Sequence, residues 1–113
     1  MVFEGAVPEI SVLELKRRLD AGQEVVILDV REASELKICS LPNTFHIPLG
    51  DLDERLPEIE AVKAKEIVVY CRSGRRSAIA ADFMQENGFK TVYNLKGGVL
   101  AWSDEIDASF EKY

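Results

Sequence analysis

One cysteine stands at the head of a short loop whose residue types suit the binding of an anion. Cys71 follows the apolar run 67–70, and the residues after it are, in order, Arg72, Ser73, Gly74, Arg75, Arg76 and Ser77. A glycine can take a positive φ, which lets successive backbone N–H groups point inward. A helix after the loop would add unpaired N–H groups and a partial positive charge. Together with the arginines, these groups would stabilise a thiolate, so we predict a nucleophilic Cys71 with a lowered pKa and a loop that binds an anionic substrate.

The other candidate residues favour structural interpretations. Cys39 lies outside any glycine-rich or basic loop, and we interpret it as a structural or incidental thiol. His46 is the one histidine and has apolar neighbours, which favours a tolerated polar residue over a catalytic base. Asp29 and Arg31 follow an apolar run and are interpreted as a salt bridge that shapes the surroundings of the loop. Two cysteines and one histidine are too few for a structural zinc site, which takes about four such ligands.

The strands that must position the loop are predicted from short apolar runs. Residues 25–28 and 67–70 are continuous apolar segments, typical of strands buried on both faces. Residues 91–95 are predicted to form a further strand, and residues 44–47 a weaker one that Pro48 closes.

Four helices are predicted from apolar residues at spacings of three and four. The first begins at a capping box formed by Ser11 and Glu14 and ends near Gly22. The others are marked by Leu52 and Leu56 before Pro57, by Ile79, Ala80, Phe83 and Met84 before Asn87-Gly88, and by Val99, Trp102 and Ile106 after Gly97-Gly98. Strands that alternate with helices predict an α/β domain with a mostly parallel sheet, and 113 residues suit one domain, 1–113.

Composition and charge restrict the classes of function. The net charge of −6 argues against general binding of nucleic acid, which depends on clustered Lys and Arg residues. No apolar run approaches the roughly 20 residues that cross a bilayer, so we expect no membrane insertion. No basic segment followed by an apolar one marks the N-terminus, so we expect no secretion and a cytoplasmic location. The acidic residues Asp51, Asp53 and Glu54 are interpreted as a solvated face.

Four ordered motifs resemble the rhodanese family over essentially the whole chain. They are Ile27-Leu28-Asp29-Val30-Arg31-Glu32, Ile47-Pro48-Leu49, Val68-Val69-Tyr70-Cys71-Arg72-Ser73-Gly74-Arg75-Arg76-Ser77, and Leu95-Lys96-Gly97-Gly98-Val99-Leu100-Ala101-Trp102. The resemblance implies a rhodanese-like, mostly parallel five-stranded sheet flanked by helices on both faces. It also implies that Cys71 heads a six-residue active loop, takes a sulfane sulfur from a donor such as thiosulfate as a persulfide, and passes it to a nucleophilic acceptor without a cofactor or a metal.

Within that family, the chain is most similar to the C-terminal domains of adenylyltransferase/sulfurtransferase proteins. The residues that carry this finer resemblance are Leu36-Lys37-Ile38-Cys39-Ser40-Leu41-Pro42 and Trp102-Ser103-Asp104-Glu105-Ile106-Asp107. It implies a cysteine desulfurase as sulfur donor and a sulfur-carrier protein as acceptor. The chain departs from many rhodaneses at Ser40 and Asn43, where those proteins have His and Gly in a stretch thought to be structural.

Three other functions compete with sulfur transfer. A phosphatase or arsenate reductase of a related fold needs an arginine after a cysteine and five further residues, to grip phosphate bidentately. Here that position is Ser77, and Arg76 comes one residue too early. A non-catalytic rhodanese-like interaction module would usually lack the cysteine, so Cys71 in an intact basic loop counts against it. A papain-like hydrolase is weaker still, because His46 is the only histidine available.

Overall fold

A five-stranded parallel sheet forms the centre of the molecule. The computed structural model describes residues 7–113. Along the chain the strands are β1 (Glu9–Ile10), β2 (Val26–Asp29), β3 (Phe45–His46), β4 (Glu66–Tyr70) and β5 (Thr91–Leu95). Their order across the sheet is β1-β5-β4-β2-β3, and every pair is parallel. The predicted α/β class is confirmed, although β1 was not predicted from the sequence.

Helices connect the strands and lie on both faces of the sheet. They are α1 (Val12–Asp20), α2 (Ala33–Leu36), α3 (Leu52–Arg55), α4 (Arg75–Glu86) and α5 (Gly98–Glu105). Two 3₁₀ segments, Leu49–Asp51 and Leu56–Val62, flank α3. The short helix before Pro57 is confirmed, whereas the 3₁₀ segment that includes this proline and the single turn of α2 were not predicted. Within residues 7–113, no helix is both long and apolar enough to cross a membrane.

The ends of α1 show which part of the predicted capping box forms. The Ser11 hydroxyl accepts a hydrogen bond from the Glu14 N–H at 3.0 Å, as expected for an N-cap. The Glu14 carboxylate does not return to Ser11 but binds Arg17 at 2.7 Å and Arg18 at 2.9 Å, so the predicted reciprocal box was wrong in this half. At the other end, Gly22 has a φ of +75° just after the helix, which confirms the predicted stop.

Alternate side chains of β4 divide the core into two layers. Ile67 and Val69 pack on one face, mainly against α4, while Val68 and Tyr70 pack on the other, against α1 and α5. This strand is buried on both faces, which is why its sequence shows an unbroken apolar run. The carboxyl ends of β2, β4 and β5 meet at the same edge of the sheet, where ligands bind in open α/β folds.

Candidate active site

The Cys71 backbone leaves the central strand and is tied at once to the start of α5. The Val99 N–H donates to the Cys71 carbonyl at 3.0 Å, and the Leu100 N–H donates to the Arg72 carbonyl at 3.1 Å. Gly98 permits this approach, because a Cβ atom there would lie only 2.4 Å from the Cys71 carbonyl oxygen. Gly97-Gly98 thus forms a turn that brings the last helix beside the loop.

Three hydrogen-bond donors converge on the Cys71 sulfur. Sγ lies 3.1 Å from the Gly74 nitrogen, 3.4 Å from the Ser77 nitrogen and 3.3 Å from the Ser77 hydroxyl oxygen. Gly74 has a φ of +102° and precedes the first residue of α4, so the chain curls around the sulfur and the helix begins beneath it. The sulfur therefore lies in a cradle of N–H groups of the kind that binds anions.

The balance of burial and hydrogen bonding lowers the pKa of Cys71. Burial alone raises the pKa of this thiol, because it disfavours the charged form. The hydroxyl and N–H of Ser77, with the N–H groups of Gly74 and Ser73, outweigh that effect and lower the pKa. The predicted direction is confirmed. Of the two predicted causes, the hydrogen bonds from N–H groups contribute more to the lowered pKa than the arginine charges do.

The three loop arginines have different surroundings. Arg76 forms a bidentate ion pair with Glu35, with N–O distances of 2.6 and 2.9 Å. The Arg72 guanidinium stacks on the Tyr113 ring at 5.3 Å, and its Nε donates to the Tyr113 main-chain oxygen. Arg75 is exposed and has no ion pair among residues 7–113. The loop thus presents one uncommitted arginine to solvent, not three.

Comparison with known proteins identifies the family. Residues 11–105 match the rhodanese-like domain. The chain belongs to the rhodanese-like domain family. A sulfurtransferase of Allochromatium vinosum is 34% identical over 97 residues, which cover 86% of this chain and 89% of that protein. A crystal structure of a rhodanese-like domain protein from Staphylococcus aureus has a TM-score of 0.80 and 30% identity, and the match covers 95% of this chain and 99% of that one.

A longer relative shows that the same domain also occurs within a larger protein. Adenylyltransferase and sulfurtransferase MOCS3-2 of Zea mays is 35% identical over 109 residues, which cover 92% of this chain but 23% of the maize protein. The chain therefore spans nearly all of a single-domain relative and about a quarter of a fused one. The names of these relatives and the family match support sulfur transfer by a rhodanese domain.

Tyr113 is a residue near the rhodanese loop that the sequence did not indicate. Its hydroxyl donates to Glu35 Oε2 at 2.7 Å and accepts from Arg31 Nη1 at 3.0 Å. The pKa of Glu35 is lowered to about 2, mainly by its hydrogen bonds from Arg76, with Tyr113 adding to the effect. Tyr113 thereby joins the buried end of β2 to two loop arginines, Arg76 through Glu35 and Arg72 directly.

The predicted Asp29–Arg31 salt bridge is confirmed as a buried structural pair. The Arg31 Nη2 and Asp29 Oδ2 atoms are 2.8 Å apart, and both side chains are fully buried. Arg31 also donates to the Cys39 carbonyl at 2.7 Å, which fastens the segment after α2 to the sheet. His46 Nε2 lies 2.7 Å from the Arg31 carbonyl oxygen, so this ring has a structural partner after all.

Asn94 is a second residue of the rhodanese site that sequence reasoning missed. It lies on β5, is 5% exposed, and its Oδ1 is 2.6 Å from the Ser77 hydroxyl oxygen. Its Nδ2 donates to the Gly74 carbonyl at 3.0 Å. An asparagine between Tyr93 and Leu95 in a predicted strand, shortly before Gly97-Gly98, was the signal that could have indicated it.

The remaining predicted residues lie where the structural interpretations placed them. Cys39 is half-buried, and its thiol lies 3.9 Å from Arg31 Nη1 and 3.7 Å from the Glu111 carbonyl oxygen. Trp102 is a core residue. Asn43 has a φ of +57°, a left-handed conformation that glycine adopts without cost, which explains why many rhodaneses have Gly there. The acidic residues Asp51, Asp53 and Glu54 are exposed.

Proposed function

We propose that this rhodanese-like domain is a sulfurtransferase that carries sulfane sulfur as a persulfide on Cys71. The observation that carries the proposal is the cradle of donors around Sγ, formed by the Gly74 and Ser77 N–H groups and the Ser77 hydroxyl. The two N–H groups are fixed by the turn at Gly74 and the first turn of α4, so they need little reorganisation when charge develops on sulfur.

The proposed reaction has two displacement steps. In the first, the Cys71 thiolate attacks the outer sulfur of thiosulfate, a new S–S bond forms, and sulfite leaves with the electron pair of the old S–S bond. In the second, a nucleophile such as cyanide or a thiolate bonds to the terminal sulfur of the persulfide. The electron pair of that S–S bond returns to Sγ, and the Cys71 thiolate is regenerated. No general base is required, because the nucleophile is already ionised.

The loop from Arg72 to Ser77 is proposed to bind the substrate. Backbone N–H groups of Ser73, Gly74 and Ser77 would stabilise the sulfur that carries the charge. Arg75, which is exposed, and Arg72, which is held by Tyr113, are the loop cations available to a sulfonate group of thiosulfate, since Arg76 is paired with Glu35. A dianionic donor therefore meets fewer free positive charges than the sequence suggests.

The geometry speaks against a phosphatase or arsenate reductase. Arg76, the nearest candidate for a phosphate-gripping arginine, is engaged bidentately by Glu35. The position one residue later is Ser77, whose hydroxyl faces Cys71. A bidentate grip on phosphate would require the Arg76–Glu35 pair to break. An interaction module without catalysis would not need a sulfur lying among three donors.

A cysteine desulfurase and a sulfur-carrier protein are the proposed partners. The support is the resemblance to adenylyltransferase-fused domains and the maize protein whose name joins the two activities. The exposed basic residue of the loop, Arg75, in a chain of net charge −6, would orient a partner that is locally acidic around its sulfur-bearing end. With a persulfidated desulfurase as donor, kcat/KM should therefore exceed that with thiosulfate and fall as salt is raised. Equal kcat/KM values for the two donors would contradict these partners but would leave the proposed chemistry at Cys71 unaffected.

The test of the proposed activity compares two substrates on the same preparation. The purified domain should convert thiosulfate and cyanide to thiocyanate and sulfite, and should leave an aryl phosphate unchanged. Cys39→Ser is the matched control for a cysteine outside the loop and should behave as the wild type. Turnover of the aryl phosphate without thiocyanate formation would overturn the proposal in favour of the phosphatase.

A further inference from the structure

The Ser77 hydroxyl faces two atoms that can each accept its single proton. Its oxygen lies 2.6 Å from Asn94 Oδ1 and 3.3 Å from Cys71 Sγ, and the Ser77 side chain is fully buried. A hydroxyl has one proton to donate, so it cannot serve both acceptors at once. The short contact to Asn94 is the hydrogen bond that this geometry favours, which leaves Ser77 as an acceptor toward a protonated Cys71 thiol.

The orientation of the Asn94 amide is fixed by a third residue. Nδ2 lies 3.0 Å from the Gly74 carbonyl oxygen, which can only accept a hydrogen bond. A flipped amide would bring Oδ1 against that carbonyl, so the oxygen must face Ser77 and the nitrogen must face Gly74. The contact between Asn94 and Ser77 is therefore one in which the serine donates.

We propose that the Ser77 proton alternates between Asn94 Oδ1 and Cys71 Sγ as negative charge on the sulfur disappears and returns, and that Asn94 is a positioning residue of sulfur transfer. This inference rests on the proposed function. When Sγ is neutral, in the thiol or as the inner sulfur of the persulfide, the hydroxyl donates to Asn94. When the acceptor takes the terminal sulfur, the S–S bond breaks, its electron pair goes to Sγ, and the hydroxyl turns to the new thiolate.

Asn94 thus has two effects of opposite sign. It keeps the buried Ser77 proton satisfied whenever the sulfur carries no charge, which holds the loop in one arrangement through the cycle. It also competes with the thiolate for that proton, because Asn94 Oδ1 loses its donor when the hydroxyl turns to Sγ. In a variant that lacks the Asn94 acceptor, Sγ is the one close partner left for the Ser77 hydroxyl. The Cys71 thiol of that variant should therefore ionise at lower pH than the Cys71 thiol of the wild type.

The charged groups around Cys71 are paired or exposed, so the change of alkylation rate with pH reports the ionisation of Cys71 itself. From the start of α4, Arg76 acts on Cys71 through its charge but is paired with Glu35 of α2, whose pKa is about 2. On the loop itself, Arg72 is held by Tyr113, and Arg75 is exposed. The buried Asp29–Arg31 pair lies at the carboxyl end of β2, and β5 and α5 contribute the uncharged residues Asn94 and Gly98. His46 lies on the edge strand β3, with β2 between it and β4.

The experiment measures the rate of iodoacetamide alkylation of Cys71 against pH in four proteins. The four proteins are the wild type, Asn94→Leu, Ser77→Ala and the double variant, all as the full chain. With Ser77 present, Asn94→Leu should lower the midpoint by roughly half to one pH unit, the value of one neutral hydrogen bond. With Ser77→Ala, the same substitution should have little effect, because the path through the hydroxyl is gone.

Equal shifts in the two backgrounds, or a raised midpoint in Asn94→Leu with Ser77 present, would overturn the proposal. If Asn94→Leu does not melt cooperatively, Asn94→Asp replaces it, and its stronger acceptor should raise the midpoint more with Ser77 present than with Ser77→Ala. Ser103→Ala is the matched control, since its hydroxyl donates to the Phe110 carbonyl at 2.7 Å and does not contact Cys71. Alkylation does not require sulfur transfer, so failure here is distinguishable from failure of the proposed function.

Discussion

The two cysteines of this domain differ in one physical respect that decides their chemistry. Each has an arginine in its neighbourhood, Arg76 near Cys71 and Arg31 at 3.9 Å from the Cys39 sulfur. Each of those arginines is already paired, Arg76 with Glu35 and Arg31 with Asp29. Only Cys71 has its sulfur within hydrogen-bond distance of the N–H groups of a glycine turn and of the first turn of a helix.

Paired arginines do not by themselves make a reactive thiol. An arginine whose charge is neutralised by a carboxylate adds little to the stability of a nearby thiolate. Backbone N–H groups fixed by the fold have no competing partner of this kind, and their hydrogen bonds lower the pKa of Cys71 despite its burial. Cys39 has a single main-chain oxygen and a committed guanidinium near it, which suits a packing role.

The largest expected effect separates the two cysteines directly. Cys71→Ser should reduce thiocyanate formation to the uncatalysed background, because the serine hydroxyl oxygen cannot carry the sulfane sulfur. Cys39→Ser should remain within about twofold of the wild type, as expected for a substitution away from the site. Steady-state assays on both variants, with melting curves to confirm the fold, measure this. Comparable losses in the two variants would mean that the loop does not distinguish the cysteines.

The next effect tests the backbone that builds the cradle. Gly98→Ala should destabilise the domain by about 1–3 kcal/mol, the usual range for an overpacked site, and should lower activity sharply. The added methyl would meet the Cys71 and Arg72 carbonyl oxygens at 2.4 and 2.5 Å. Gly50→Ala is the matched control, because nothing lies within 4 Å of a Cβ atom there. Denaturant unfolding should show a lower free energy of unfolding for Gly98→Ala but not for Gly50→Ala. Equal free energies of unfolding in the two variants would contradict the tight contact at Gly98.

The smallest effect concerns the arginine that Tyr113 holds. Tyr113→Ala should raise the KM for thiosulfate by about two- to fivefold with little change in kcat, since an exposed cation–π contact contributes about 0.5–1 kcal/mol. Tyr113→Phe retains the ring and should restore most of the affinity. Tyr93→Leu is the control, because it breaks a comparable stack with Arg18, at 5.5 Å, that involves no arginine of the loop. An unchanged KM in Tyr113→Ala would show that Arg72 plays no part in binding the anion.

The features that could be predicted from the sequence are those set by local pattern. The strands β2, β4 and β5 are short apolar runs, and the predicted limits lie within one residue of those observed. Gly74 lies only three residues after Cys71, so the loop can be recognised from residue types alone. The Asp29–Arg31 pair spans two residues, so its geometry follows from a single strand end.

What the sequence could not show are contacts made between distant parts of the chain. Glu35 binds Arg76 across 41 residues, and Tyr113 binds Glu35 across 78. No sequence pattern singles out Glu35 or Tyr113. The pairing of Arg76 with Glu35 and the contact of Arg72 with Tyr113 are therefore visible only in the folded chain. For this reason the arginine charges contribute less to the lowered pKa of Cys71 than the N–H groups do. The predicted direction of the Cys71 pKa was still right, because the helix and the glycine turn were in the sequence.

Site-resolved mass mapping of the charged domain tests the central claim most directly. The domain is treated with thiosulfate, freed of excess reagent, alkylated and digested, and the peptides that contain Cys71 and Cys39 are weighed. We expect one additional sulfur atom on the Cys71 peptide, none on the Cys39 peptide, and loss of that sulfur after cyanide is added. An uncharged Cys71 peptide, or sulfur found on Cys39 instead, would contradict it.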